Sequence, residues 1–241
     1  MRLIHYSHPD PATNLALEEA LLDEVEAGRQ PDTLRFWESP TPFVVLGTAQ
    51  VLADEVHEDR CLADGVPVMR RCTAGGCVLQ GPGSLNYALY VTFAAHPEVA
   101  SLRASYRHIL GKVCGALGEL GIEAVQSGIS DIAIGDRKVS GNAQRRRRLS
   151  ILHHGTLLYR ADVAAIERYL REPRDRPDYR GERAHSDFLA ALPATPAALR
   201  GALAGAFGCG EPAGSLPKGI LERAEALAAE KYCQREWIYR R

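Results

Sequence analysis

The stretch spanning residues 70–87 restricts the fold of this chain more than any other part of it. Gly75-Gly76 and Gly81-Pro82-Gly83 separate two apolar runs, Val66, Val68 and Met69 before them and Leu85, Tyr87, Leu89, Tyr90 and Val91 after them, whose residue types suit buried strands. Glycine backbone takes positive φ without a clash, so the segment reads as a corner between strands, with bare backbone on which a ligand can lie. A second stretch, residues 130–144, carries Gly135-Asp136 between two extended runs. That pattern is a tight hairpin, and it mounts Lys138 on a short strand. Arg145-Arg146-Arg147-Arg148 and then His153-His154-Gly155-Thr156-Leu157-Leu158-Tyr159 follow.

The remaining punctuation places these two stretches among helices and strands. Asp10 is a helix cap with Pro11 in the first turn, and Leu17, Leu21 and Val25 recur at helical spacing, which predicts a helix over 12–27. Its Glu18 and Glu19 are expected as surface carboxylates. Residues 34–37 and 42–46 read as a strand pair around Glu38-Ser39-Pro40, followed by a helix to Cys61. Trp37 is read as a core aromatic. An amphipathic helix is expected over 100–120, a strand over 149–159, and terminal helices over 197–207 and 218–232. Residues 171–186, rich in Pro, Arg and Asp, form a surface loop. Strands and helices that do not strictly alternate point to an α+β arrangement rather than a doubly wound parallel sheet.

Charge and composition narrow the function. With 46% hydrophobic and 24% charged residues in 241, the chain can build one sizeable core. A net charge of −1 argues against a dedicated nucleic-acid binder, although residues 145–148 concentrate positive charge that could meet a phosphate or an acidic partner. The six cysteines form no Cys-x-x-Cys pair and no zinc spacing, so reduced thiols and no metal ligands are expected. His153 and His154, as strand neighbours, point to opposite faces and cannot share one ion; one of them faces the ligand side. No basic-then-apolar leader opens the sequence and no apolar run approaches the roughly 18 residues of a membrane span, which predicts a cytoplasmic protein without a membrane partner.

Taken together, the motifs resemble the lipoate-protein ligase and octanoyltransferase family, relatives of the biotin-protein ligase catalytic domain. The resemblance is carried by Arg-Arg-x-(Ser/Thr)-x-Gly-Gly from Arg70 to Gly76, by Asp-x-Lys-Val-Ser-Gly-Asn-Ala from Asp136 to Ala143, and by His-Gly-Thr-Leu-Leu from His154 to Leu158. Weaker matches lie at 14–20, 34–37 and 44–47. The resemblance implies a mixed, mostly antiparallel central sheet flanked by helices, as in biotin-protein ligases and class II synthetases. It implies a single catalytic domain over 1–241 that ends in a helix and lacks the small accessory domain of larger family members.

The implied activity is that of a ligase that activates lipoate or octanoate with ATP and Mg2+ to the acyl-adenylate, then acylates a lysine of a lipoyl-carrier protein, alone or with a separate small accessory chain. Lys138 would neutralise the charge that builds as the carboxylate attacks the α-phosphate. Arg71 would meet a phosphate or carboxylate oxygen, and Gly75 and Gly76 would let backbone approach the acyl-adenylate. Thr73, Asn86, Ser140, Gly141, Asn142, Ala143 and His154 complete the implied substrate and nucleotide site. Asn86, Ser140 and Asn142 are expected on one surface. Two departures stand out: Ala74 breaks the family's run of three glycines, and Gln80 replaces a common histidine, in a Gln-Gly-Pro-Gly reminiscent of octanoyltransferases. An ATP-independent octanoyl or lipoyl transferase is the alternative, but it would pass the acyl group through a cysteine beside the lysine motif, and no cysteine lies between Cys114 and Cys209. Of the cysteines in the corner, Cys77 is expected to alternate into the core. A noncatalytic lipoyl-binding module is the third reading.

Overall fold

The computed structural model describes residues 1–160, 162–212 and 216–240. In chain order its elements are β1 (Arg2–His5), α1 (Pro11–Glu26), β2 (Thr33–Trp37), β3 (Phe43–Leu46), α2 (Leu52–Glu55), α3 (Glu58–Ala63), β4 (Val68–Arg70), β5 (Val78–Gln80), β6 (Ser84–Thr92), α4 (Leu102–Glu119), β7 (Ala124–Ser127), β8 (Asp131–Ile134), β9 (Arg137–Arg146), β10 (Ser150–Leu158), α5 (Val163–Tyr169), α6 (His185–Phe188), α7 (Pro196–Ala206), α8 (Lys218–Leu227) and α9 (Arg235–Ile238). The larger sheet runs β1-β2-β6-β10-β9-β8-β7, antiparallel throughout except for the parallel β1–β2 pair. The smaller runs β4-β3-β5, with β3 parallel to β4 and antiparallel to β5. This is the α+β arrangement expected from the sequence pattern, with the mixed, mostly antiparallel sheet that the family resemblance implied.

Two local expectations are corrected. β2 and β3 do not pair: β2 sits in the large sheet between β1 and β6, while β3 centres the small one, because the chain turns out of the first sheet between them. The single helix expected up to Cys61 is two short ones, α2 and α3, interrupted where Val56 takes an extended conformation.

Both faces of the large sheet are covered. β6 sends Leu85, Tyr87, Leu89 and Val91 toward α4 and α7, and Ala88 and Tyr90 toward α1 and α8. Burying both faces of the sheet explains why β6 reads as a nearly continuous apolar run. Helix α1 starts as expected: Asp10 Oδ2 accepts from the Thr13 amide at 2.8 Å, and Pro11 occupies the first turn. It is then locked to the sheet by Arg35, fully buried, whose Nη2 donates to Asn14 Oδ1 (2.7 Å) and Nη1 to Asn14 O (3.1 Å).

The C-terminal segment closes over the outside of α1. A π-turn, Ala228–Tyr232, aims Lys231 Nζ and the Tyr232 hydroxyl at Glu19 Oε2, 2.6 and 2.7 Å away. Beyond it, α9 clips onto the glycine corner: Arg70 Nε and Nη2 donate to Ile238 O (2.9 and 2.7 Å), and Trp237 Nε1 donates back to Arg70 O (2.8 Å).

Candidate active site

Lys138 reaches the α1 side of the sheet because β9 is irregular. Gly141 pairs with Asp131 and Ser140 with Ile132, but it is Lys138, not Val139, that pairs with Ala133. Val139 is the extra residue of a β-bulge and drops, with Ile132, into the core under α4. Strict alternation would turn Lys138 to the α4 face with Ser140; the bulge turns it to the face of Gly141. There the lysine lies across bare backbone, since a Cβ at 141 would stand 3.0 Å from both its Cε and its Nζ. Nζ pairs with Asp131 Oδ1 at 2.8 Å, and Asp131 Oδ2 accepts the Tyr179 hydroxyl at 2.9 Å from the loop after α5.

Opposite Lys138 stands the glycine corner, held down by small residues and one arginine. A Cβ on Gly47 would overlap the Gly75 carbonyl oxygen, so the corner can close only over a glycine, and Gly75 itself takes φ +95°. Arg71 is buried and braces the turn: Nε donates to Thr73 Oγ1 (2.8 Å), Nη2 to Ala74 O (2.6 Å) and Nη1 to Val45 O (3.4 Å). From Thr73 a polar chain crosses to α1. Thr73 Oγ1 lies 2.8 Å from His154 Nε2, His154 Nδ1 lies 2.7 Å from Glu18 Oε2, and Trp37 Nε1 donates to Glu18 Oε1 at 3.1 Å. An ionised Glu18 can only accept, so His154 Nδ1 carries a proton toward it. Burial pushes the Glu18 carboxyl up, but His154, Arg35 and the Trp37 hydrogen bond outweigh it and hold its pKa below the ordinary value.

Between these walls lies a cleft of ≈ 650 Å³, counted out to open solvent. Leu15, Trp37, Val45 and Val78 give it an apolar side. Gln80, Asn86 and Thr156 line it with a closed polar cluster: the two amides bond reciprocally at 2.9 and 2.8 Å, and Thr156 Oγ1 donates to Asn86 Oδ1 at 2.7 Å. A cleft with an apolar side and an ammonium in its lining can take a ligand that is part apolar and part anionic.

The predicted site residues fall into two groups. Lys138, Arg71, Gly75, Gly76, Asn86, Gly141, Ala143 and His154 line the cleft, and Thr73 is buried just behind it on His154. Ser140 does not share the surface of Asn86, and Asn142 lines the cleft beside it but turns its amide inward. The strand register puts their side chains on the α4 face, where Asn142 Oδ1 accepts from the Tyr87 hydroxyl at 2.5 Å and its Nδ2 donates to Ser130 O at 2.8 Å; Ser140 is fully buried. Gly155 makes room for that amide, since a Cβ there would overlap Asn142 Oδ1.

Further expectations change, and the choice between the two histidines is made. Glu18 and Glu19 are buried rather than superficial, because α1 is covered on its outer side as well. Glu19 sits with Lys231, Tyr232 and Arg145, whose hydrogen bonds and charges lower its pKa against the upward push of burial. Nearly every residue from Ala12 to Leu22 is apolar or small, wider than one helical stripe, and that was the signal that the helix's acids must be paired inside. Three members of the arginine run are internal braces: Arg145 on Cys72 O and Glu19, Arg146 on Val99 O and Ala100 O, and Arg147 on Asp23 and Glu19. Cys77 packs against the core cluster of β3 and α5 as expected, but it also lines the cleft. Burial raises its thiol well above the usual pKa and raises Cys72 to about 11. Of the two histidines, His154 faces the cleft. His153 is buried toward α4, 2.9 Å from Gln144 Nε2, with its pKa pushed down to about 3 by burial and by His154.

Residues 10–191 match the family model described as "Lipoyl protein ligase A/B catalytic domain". A "Putative lipoate-protein ligase A" of Aeropyrum pernix is 35% identical over 158 residues, which make up 66% of this chain and 57% of that protein, so the chain spans little more than half of that relative's length. Among solved structures, a lipoate-protein ligase A bound with ATP covers 99% of this chain and 98% of its own at TM-score 0.85 and 23% identity. A bi-partite lipoate protein ligase from Thermoplasma acidophilum, studied with its E2 lipoyl domain, covers 99% and 95% at TM-score 0.83 and 21% identity. At these identities the likeness to the two structures establishes a common fold.

Proposed function

The chain belongs to the lipoyl protein ligase A/B catalytic-domain family, and from that premise we propose that it is an ATP-dependent lipoate-protein ligase. In the first step a lipoate or octanoate carboxylate oxygen attacks the α-phosphorus of ATP, the O–P bond forming as the bond to pyrophosphate breaks. In the second the ε-amine of a lysine on a lipoyl-carrier domain attacks the acyl carbonyl carbon, the amide forms, and AMP leaves.

The observation that carries this reading is the Lys138 ammonium, set by the bulge on the cleft face and paired with Asp131 at 2.8 Å. An ammonium there can exchange Asp131 for the incoming carboxylate and α-phosphate oxygens, and so stabilises negative charge where it accumulates. The His154–Glu18 pair holds Thr73, and through Arg71 the glycine corner, against the cleft. Magnesium fits as a nucleotide-borne ion, since it asks for one or two carboxylates beside phosphate and water ligands, and Asp131 is the carboxylate at hand. It would neutralise phosphate charge. A transferase would need a thiolate nucleophile, and burial disfavours that form at both Cys72 and Cys77.

In this proposal the described residues act as one catalytic unit, alone or with a separate small chain. The loop after α5 closes over the nucleotide, pivoting on the Tyr179–Asp131 contact. Incubation with lipoate, ATP-Mg2+ and an apo lipoyl domain tests the reading: an acylated acceptor lysine is expected. Transfer from an octanoyl-carrier protein without ATP would establish the transferase instead, and lipoate binding without turnover in either assay would leave a binding module. Limited proteolysis should show cutting between Arg171 and Ser186 suppressed by lipoate and ATP; unchanged cutting at saturation removes the lid.

A further inference from the structure

The far end of the large sheet carries features that the cleft chemistry does not use. β7 is its last strand, and no other strand of the described residues pairs with its outer edge. Ala124, Val125, Gln126 and Ser127 include neither a proline nor a charge, the usual devices that keep a free edge from pairing. Val125 is 56% exposed and Ile129, in the turn that follows, 71%. The register ties this edge to the catalytic row: Val125 pairs with Ala133, which pairs with Lys138, and Ser127 pairs with Asp131, which pairs with Gly141. Val125 therefore shares the sheet face of Lys138 only two strands away, about 10 Å at ordinary strand spacing. Ser130 and Asp131, immediately after Ile129, line the cleft itself.

Resting on the ligase reading, we propose that the acceptor protein docks on this edge, an extended segment of it pairing with β7 and its apolar side chains covering Val125 and Ile129, so that its lysine enters the cleft past Ser130. The reaction asks for such a surface. An acceptor lysine must bring its own backbone to the cleft mouth, and a free, uncharged strand edge there offers main-chain hydrogen bonds to a segment of any sequence, with two apolar side chains to set its position. A β-rich domain that presents its lysine beside an extended strand is the partner this edge fits. None of the residues involved takes part in the carboxylate or nucleotide chemistry, so docking and adenylation can be separated.

The test is the double variant Val125→Lys, Ile129→Asp, both positions being exposed. An apo lipoyl domain is titrated against wild type and variant without ATP, and acyl-AMP formation from lipoate and ATP is measured on both. The expected result is a Kd for the domain raised at least tenfold, with acyl-AMP formation within twofold of wild type. An unchanged Kd overturns the docking surface whatever the ATP assay gives, as does self-association of wild type that the variant loses while acceptor Kd stays put, since the edge then serves a second copy of this chain. A raised Kd in a protein that forms no acyl-AMP at all upholds the docking surface and refutes the ligase reading alone.

Discussion

Gly141→Ala separates the fold from the chemistry in one methyl group. The added Cβ would stand 3.0 Å from Lys138 Cε and Nζ, against an optimum of about 3.5–4.0 Å between non-bonded heavy atoms. The lysine end must therefore move by roughly 0.5–1 Å. A flexible side chain can do this at little cost, and removing a glycine from mid-strand returns about 0.5–1 kcal/mol of backbone entropy, so the melting temperature should hold or rise. The ammonium, however, is displaced from where charge develops, and a misplacement of about 1 Å can cost about 100-fold in rate. The expected result is acyl-AMP formation slowed by about 10- to 100-fold, or about 1.4–2.7 kcal/mol of activation free energy, measured by single-turnover pyrophosphate release, with unfolding free energy by urea titration no lower than wild type. Gly155→Ala is the contrast: its Cβ would overlap Asn142 Oδ1 and come 2.7 Å from Tyr87 Cε1, both fully packed. That variant should lose stability outright. A Gly141→Ala protein that adenylates at the wild-type rate would refute the placement of Lys138 as the charge-stabilising group.

Three further outcomes follow from the same geometry. Lys138→Ala should abolish detectable acyl-AMP formation while leaving the circular-dichroism melt near wild type, because Asp131 keeps the Tyr179 hydroxyl; unfolding of the variant would mark the lysine as structural. Cys77→Ser and Cys72→Ser should each keep ATP-dependent ligation within severalfold of wild type, and mass spectrometry after exposure to acyl donor should find no thioester, the opposite result restoring the transferase. Stability should fall in acid through His153: buried neutral with a pKa of about 3 against 6.5 unfolded, it contributes fully above pH 6.5 and progressively less down to pH 3, about 2 kcal/mol being lost by pH 5. Urea unfolding of wild type and His153→Gln at pH 7.5 and 5 checks this, and equal slopes in the two proteins would exclude His153 as the source.

What could be read in the sequence was what local chemistry determines. Gly135 at φ +59° closes the hairpin under Lys138, Asp10 caps α1, and the opposed faces of His153 and His154 follow from strand alternation alone. What escaped reading depended on partners far away in the chain. Glu18 looks superficial until His154, 136 residues on, is seen to hold it, and Arg145 looks like a phosphate ligand until Glu19 is found beside it. The bulge at Val139 is invisible in a pattern that any alternating strand would satisfy, yet it decides that Lys138 faces the cleft while Ser140, two residues on, does not.

The clip between the glycine corner and α9 bears on how the protein is made. Arg70 is held by a carbonyl 168 residues downstream, and Glu19 by a hydroxyl 213 residues downstream. A ribosome adding roughly 5–20 residues per second delivers residue 70 many seconds before residue 238, and contacts so distant form late because a long loop must close first. During synthesis the corner therefore waits, its arginine hydrated, while the sheet behind it can already assemble. Ribosome-bound chains halted before Tyr232 would carry Lys138 and its hairpin but lack the segment that seats α1 and the corner against each other. On the ligase reading, competence would thus arrive with the segment from Tyr232 to Ile238 rather than with Lys138.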